Sequence, residues 1–497
     1  MRWELLGLGA AIVLATIAGC GSSDDTTPTP APEPDPRPPT PPEWDRSVTR
    51  PDEAAASASR AACTFKRGAL PDETLGNGIP TGKDIPIETI VVLVQENRSF
   101  DHYFGHFGKY AGRTDVAAPP EDIANPSRTG EVSSATHKWQ RAGHHCFLDT
   151  DHGWNAVHTQ VNGGKMDGFY ETNHDIKGET MPDPTMALRD GERAMWWYDE
   201  REIPFYYALA KEYGLADNYF CSMQGPTWPN RMFVFAGTSF GRTTNRNFPS
   251  LSTYRFPEND VVVLDELEKR HVDWRLYSAG IAGAAVVLGA ELPLRYNRDI
   301  VYPIDNFFED AAAGKLPPVV FVDPDFTKTG NPDGNDEHPP AHLQIGQAFS
   351  KRIVDALMKS PHWKSSALFI TYDEHGGLFD HVPPPKACVP DDSAPVDADN
   401  KKVDGAFDAY GVRVPLIVVS PYAKRGHVSH AVYDHTSILR FIQAKHRLPA
   451  LTARDANALP PTDFFDFAAP PRLEIPALPE ATVDPGEKSY CDATFAK

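Results

Sequence analysis

Positive charge is in short supply in this sequence relative to negative. Its 48 lysines and arginines face 68 aspartates and glutamates over 497 residues, for a formal net charge of −20 and a pI near 5.3. A nucleic-acid backbone needs a basic stripe, so general affinity for DNA or RNA is excluded. One small phosphate ester is not excluded, because a bound metal reverses the local field. Cysteine is scarce too. None of the six stands in a C-x-x-C pattern, which removes thiolate zinc. The chain has no twin-arginine pair, no internal repeat and no strong amphipathic membrane helix. Its N-terminal apolar run, about Leu5 to Ala18, is too short to span a bilayer comfortably.

That run instead reads as a targeting segment. Arg2 precedes it, and Ile17-Ala18-Gly19-Cys20 follows, a stretch that resembles the bacterial lipobox. Residues 1–19 are therefore expected to be a lipoprotein signal peptide. Cys20 would be the lipidated first residue of the mature chain, giving a membrane anchor. A plain secretory signal with an incidental cysteine is the other reading. Gly21, rather than aspartate, after the cysteine favours the outer membrane, on its periplasmic or cell-surface side. Residues 20–48 carry proline at nearly every second position in places and are expected to be an extended tether. A catalytic body over 49–470 follows, then a proline-rich tail over 471–497 that wraps the surface. Besides Cys20 the cysteines are Cys63, Cys146, Cys221, Cys388 and Cys491. In an exported protein disulfides are the default, and an odd set leaves one thiol unpaired. Cys63 and Cys491 flank the body and are expected to staple its ends; Cys221 is expected to be buried beside the site.

Short apolar runs alternate with helical patterns through the body. Strands are predicted at Ile90–Val94, Trp274–Tyr277, Val319–Val322, Ala367–Ile370 and Leu416–Val419. Ile345, Phe349, Ile353 and Leu357 mark a helix face. Pro204 and Gly214 bracket another helix, and Thr436–His446 a third. The alternation implies an α/β fold with a mostly parallel sheet covered on both faces.

Two of the strands run into carboxylate-rich turns. Glu96-Asn97 follows the first, and Asp373-Glu374-His375-Gly376-Gly377 follows the fourth. Chemistry in an open parallel sheet gathers at the carboxyl ends of strands. Three carboxylates and an amide oxygen form a hard donor set for a divalent cation. A third segment, Cys221-Ser222-Met223-Gln224-Gly225-Pro226-Thr227-Trp228-Pro229-Asn230-Arg231, places Thr227 just ahead of a helix running to about Ala236, where anions are favoured. Metal coordination can activate its hydroxyl. His152, His338, His381 and His435 lie in polar turns and are candidates for proton transfer, phosphate contact or metal ligation.

These blocks, together with Asn162–Phe169, Ile203–Tyr206, Asp217–Phe220, Arg413–Pro421 and Asp434–Ser437, resemble the bacterial phospholipase C and acid phosphatase family of phosphoesterases, in family order over roughly residues 60–470. The resemblance implies a three-layer α/β/α fold, alkaline-phosphatase-like with loop insertions, and one divalent metal. Glu96, Asn97, Asp373, Glu374 and Thr227 would hold the metal. Thr227 would be the nucleophile, and His152, His338 and His381 the other catalytic groups. His435 and Asn230 would contact substrate. Threonine in the Gly-Pro-Thr context favours the phospholipase C branch, with phosphatidylcholine-like substrates and a phospho-threonine intermediate; an acid phosphatase acting on monoesters is the alternative. Two other classes compete. Gly237-Thr238-Ser239-Phe240-Gly241 fits the G-x-S-x-G elbow of a serine esterase, provided a strand precedes the serine. A non-catalytic surface lipoprotein is the other. No nucleic-acid or protein partner is expected.

Overall fold

A run of β-branched residues without polar alternation suits a strand buried on both faces. The computed structural model, which describes residues 37–127, 136–174, 191–248, 261–289 and 292–495, bears this out. Strand β1 (Thr89–Gln95) is buried along its whole length. Cys20 and most of the proline-rich tether lie outside the described residues.

Among the described residues the main sheet has eight strands. They are β1, β2 (Gly214–Ala216), β3 (Trp274–Ser278), β4 (Val301–Pro303), β5 (Val319–Asp323), β6 (Ser366–Tyr372), β7 (Leu416–Val419) and β8 (His427–Ser429), in the order β8-β2-β7-β6-β1-β5-β3-β4. Strand β1 lies between β5 and β6 and is parallel to both, with Val92 opposite Phe321 and Phe369. Only β7 opposes the common direction, pairing antiparallel with β6 and β2. All five predicted strands are present. The three unpredicted ones, β2, β4 and β8, are three-residue pieces, too short to show a period. Gly214 opens β2 rather than ending a helix; a Cβ there would meet the Phe464 ring at 2.5 Å.

Helices cover both faces. They include α1 (Phe100–Phe104), α2 (Pro204–Glu212), α3 (Thr227–Ala236), α4 (Leu343–Lys359), α5 (His435–His446) and α6 (Pro485–Phe495). Alternate side chains of one strand reach opposite layers. On β6, Phe369 meets Phe441 of α5, with ring centroids 5.2 Å apart, whereas Tyr372 points to the side where α2 and α4 pack. Phe321 of β5 meets Phe235 of α3 at 4.8 Å, and α3 packs on α5. The fold is thus three-layered, α/β/α.

Several expectations are corrected. Residues 38–48 pack on the body: Thr40 donates to the Lys269 carbonyl at 2.6 Å, and Trp44 is buried. Near the C-terminus an eleven-residue helix, α6, forms. The disulfides are Cys63–Cys388 and Cys146–Cys491, not Cys63–Cys491; Cys221 is the buried free thiol. The esterase elbow fails. Met232–Phe235, the strand it required, is the interior of α3, and Ser239 is fully buried.

Candidate active site

The segment that follows β1 spends each side chain differently. Glu96 and Asn97 turn inward, Asn97 in the left-handed region at φ 62°. Arg98 donates to the Glu337 carbonyl and to His102 Nε2 at 3.0 Å. Ser99 caps α1, accepting from His102 N at 3.2 Å. Asp101 accepts from the buried Arg413 guanidinium at 2.8 Å.

The turn after β6 closes on it. The Asn97 N–H donates to Asp373 Oδ1 at 3.2 Å, and the Arg98 N–H to the Glu374 carbonyl at 3.1 Å. The two glycines follow from that closeness. At positive φ, Gly376 leaves only 2.6 Å between a would-be Cβ and the Asn97 carbonyl oxygen, and Gly377 only 2.5 Å to that of Asp151. Carboxylates from turns far apart in sequence therefore share one water-poor place. Burial, then the neighbouring Asp373 charge, pushes Glu96 well above the usual carboxylate range. Burial also carries Asp373 up to about 6 against the pull of Arg231.

Helix α3 carries the third part. Thr227 is its first residue, inside the helix rather than ahead of it. It is 4% exposed, and no described residue hydrogen-bonds to its hydroxyl. One turn on, on the same face, lies Arg231, to which the sequence reading gave no role. Its Nε donates to Asp373 Oδ2 at 3.1 Å and its NH1 to Asp323 Oδ1 at 3.2 Å. NH2 lies 3.8 Å from Glu96 Oε1 and donates to the Val94 and Gln95 carbonyls. A fixed cation thus ties the helix that bears Thr227 to both acidic turns. Its i+4 spacing from Thr227 was the signal available in the sequence.

Several polar atoms of the two acidic turns stay unsatisfied. Glu96 Oε2, both amide atoms of Asn97 and Glu374 Oε1 are buried without hydrogen-bond partners among the described residues. Buried polar groups are rarely left so. A hard divalent cation fits them, being matched to carboxylate and amide oxygens.

The histidines divide. His152 Nδ1–H donates to the Thr150 carbonyl at 2.6 Å, so Nε2 faces the site, 3.7 Å from Glu374 Oε1. Burial lowers its pKa, but Glu374 and Asp149 outweigh that and bring it up to about 9. His338 is pinned likewise: Nδ1 donates to the Pro339 carbonyl at 2.6 Å, and Nε2 lies 3.8 Å from Asp149 Oδ2. The two rings are 5.9 Å apart, and with Asp149 they form a compact group. The other histidines differ from expectation. His381 bonds to Asp101 at 2.6 Å inside an ion-pair network of Asp101, Asp380 and Arg413, and none of these partners belongs to the acidic turns. His435 is fully buried and donates to the Tyr372 carbonyl. Asn230, also fully buried, bonds Met223 N at 3.0 Å and the Gly225 carbonyl at 2.8 Å. It stitches the 223–226 loop to the first turn of α3, where a substrate contact was expected.

A family model described as the phosphoesterase family matches residues 87–449, from just ahead of β1 to just past α5. The chain belongs to the phosphoesterase family. This phosphoesterase is 32% identical over 480 residues to phospholipase C B of Mycobacterium tuberculosis, covering 86% of each chain. It is 32% identical over 416 residues to non-specific phospholipase C6 of Arabidopsis thaliana, covering 80% of this chain and 75% of the relative. A solved structure described as an alkaline phosphatase superfamily protein from Vibrio parahaemolyticus aligns over 82% of this phosphoesterase and 78% of its own chain, at 10% identity and a TM-score of 0.38.

Proposed function

We propose that this phosphoesterase is a metal-dependent phospholipase C that cleaves the glycerol-side bond of phospholipids such as phosphatidylcholine through a phospho-threonine intermediate. The observation that carries this is the set of orphaned donors on Glu96, Asn97 and Glu374, gathered beside Asp373, which Arg231 ties to the helix that opens on Thr227. Glu96, Asn97, Asp373, Glu374 and Thr227 would hold a divalent ion, which would lower the pKa of the Thr227 hydroxyl and offset charge on the phosphoryl oxygens.

The chain's own residues do the rest. Arg231 holds the two acidic turns and α3 in register. Thr227 Oγ1 attacks phosphorus in line, and the bond from phosphorus to the glycerol oxygen breaks. His338 Nε2–H gives its proton to that departing oxygen. His152, closer to Glu374, donates a hydrogen bond to a phosphoryl oxygen. Water then cleaves the phospho-threonine. A cavity of about 480 Å³ is lined by Pro226, next to Thr227 in the chain, by Asp151 and Trp154 of the His152 segment, and by Thr243, Arg246 and Asp397. The lipobox-like segment ending at Cys20 supports export as a lipoprotein held at the outer membrane, and two disulfides suit an oxidising compartment.

Hydrolysis of p-nitrophenyl phosphorylcholine is measured beside p-nitrophenyl phosphate, with chelation and metal add-back. Metal-dependent cleavage of the diester is expected. Cleavage of the monoester alone would move the protein to the acid phosphatase branch, and indifference to chelators would remove the metal.

A further inference from the structure

His338 follows a residue in an unusual state. Glu337 is a fully buried carboxylate whose backbone sits at φ 71°, a left-handed conformation that side chains larger than glycine's seldom adopt. Three phenols from three separate elements converge on it. Tyr103 of α1 donates to Oε2 at 2.7 Å, Tyr372 of β6 to Oε2 at 2.9 Å, and Tyr206 of α2 to Oε1 at 2.6 Å. The Tyr206 oxygen also meets Ser350 Oγ of α4 at 2.7 Å. Gly346 of α4 leaves the room, since a Cβ there would collide with Glu337 Cγ.

The backbone around Glu337 is stitched to the cation-binding turns as well. The Glu96 N–H donates to the Asp336 carbonyl at 2.8 Å, and Arg98 donates to the Glu337 carbonyl. Gln95 reaches the Asn335 carbonyl at 3.1 Å. Tyr372 directly precedes Asp373, and Gln95 directly precedes Glu96. Asp336 Oδ1 then accepts from the His338 N–H at 3.1 Å. A buried anion is a poor way to gain stability, because apolar groups of similar volume do as well or better. Backbone held in a sparsely populated region gathers where function over-determines it.

We propose that the Glu337 carboxylate, clamped by Tyr103, Tyr206 and Tyr372, is a positioning residue that fixes His338 Nε2 relative to the acidic turns holding the cation. This rests on the reading of His338 as the proton donor to the leaving oxygen. The node links both strand ends to the one loop that carries this histidine, so loosening it shifts His338 without removing any group that touches substrate.

The test uses two soluble diesters. Dihexanoyl phosphatidylcholine expels an alkoxide that needs a proton; p-nitrophenyl phosphorylcholine expels a phenolate that does not. His338→Ala is the reference. Tyr206→Phe and Tyr103→Phe each remove one hydroxyl, on different carboxylate oxygens, so that one folded variant suffices; bound metal is quantified for each. Expected is a loss of about 10- to 100-fold in kcat on the lipid with KM and metal content unchanged, and a p-nitrophenyl rate within about threefold of wild type. Parallel losses on both substrates, lost metal, or no loss on the lipid would overturn the positioning role while His338→Ala remains selective. A His338→Ala variant without that selectivity would overturn the proton-donor reading itself, and the positioning role with it.

Discussion

Arg231 shows how one buried side chain can hold several acidic groups together. It is 2% exposed and faces Asp373, Asp323 and Glu96. Removing one partner of a buried ion pair leaves the other charges uncompensated. Arg231→Met is therefore expected to lower stability by about 3–5 kcal/mol in chelator, with part of the loss restored by added divalent metal; urea titration in both conditions measures it. Thr227→Ala is the opposite case. At the first turn of α3 alanine is an adequate helix former, so the urea midpoint should barely move. Turnover of p-nitrophenyl phosphorylcholine should fall by about three orders of magnitude or more, the scale expected when a nucleophile is removed; a variant within tenfold of wild type would rule out Thr227 as nucleophile.

At the scale of elements, helix ends decide where chemistry goes. Helix α3 begins beside the acidic turns because Asn230 ties its first turn to the 223–226 loop, and α5 begins where His435 reaches the β6 carbonyl of Tyr372. Burial, which outweighs that hydrogen bond, holds the His435 pKa down at about 4. Unfolded, the same side chain titrates near 6.5. The unfolded chain thus binds the extra proton first. The stabilisation is complete above about pH 6.5 and is lost as pH falls towards 4, by about 3 kcal/mol in all. His435→Gln should flatten the stability profile over that window, and an unchanged slope from pH 6.5 to 4.5 would show that another group is responsible. The expectation of His435 as a substrate contact came from its polar sequence neighbours, Asp434, Thr436 and Ser437. Asp434 and Ser437 form a capping box, Thr436 donates to Asp434, and all three are buried.

For the whole molecule, two cross-links of long reach, 325 and 345 residues, bind the ends to the body. Cys146–Cys491 holds α6 against a segment only three residues before Asp149. Cys146→Ser with Cys491→Ser is expected to free α6 for proteolysis and to cost about 2–5 kcal/mol; resistance of α6 to protease would show that its remaining contacts suffice. Metal binding at the acidic turns is expected to couple to the fold in the same way. A cation that binds only the folded turns stabilises by mass action. Melting temperature should therefore rise with divalent metal in wild type and stay flat in Asp373→Asn.

The sequence by itself determined the strands, the acidic turns that end them and the segment that bears Thr227. Each of these is local: a run of buried β-branched residues, a glycine pair, a proline at a helix start. The central strands were legible because seven buried residues in a row leave a period-free apolar signal, whereas three-residue β2, β4 and β8 leave none. Only the tertiary structure decided which polar residues face one another. His381 and His338 look alike in sequence, each beside an acid and before prolines. One was drawn into the Arg413 network and the other set beside Asp149 and His152, because the chain's path sets which charge lies opposite. Arg231, Glu337 and the disulfide pairing depend on the same long-range packing, since their partners lie far away along the chain.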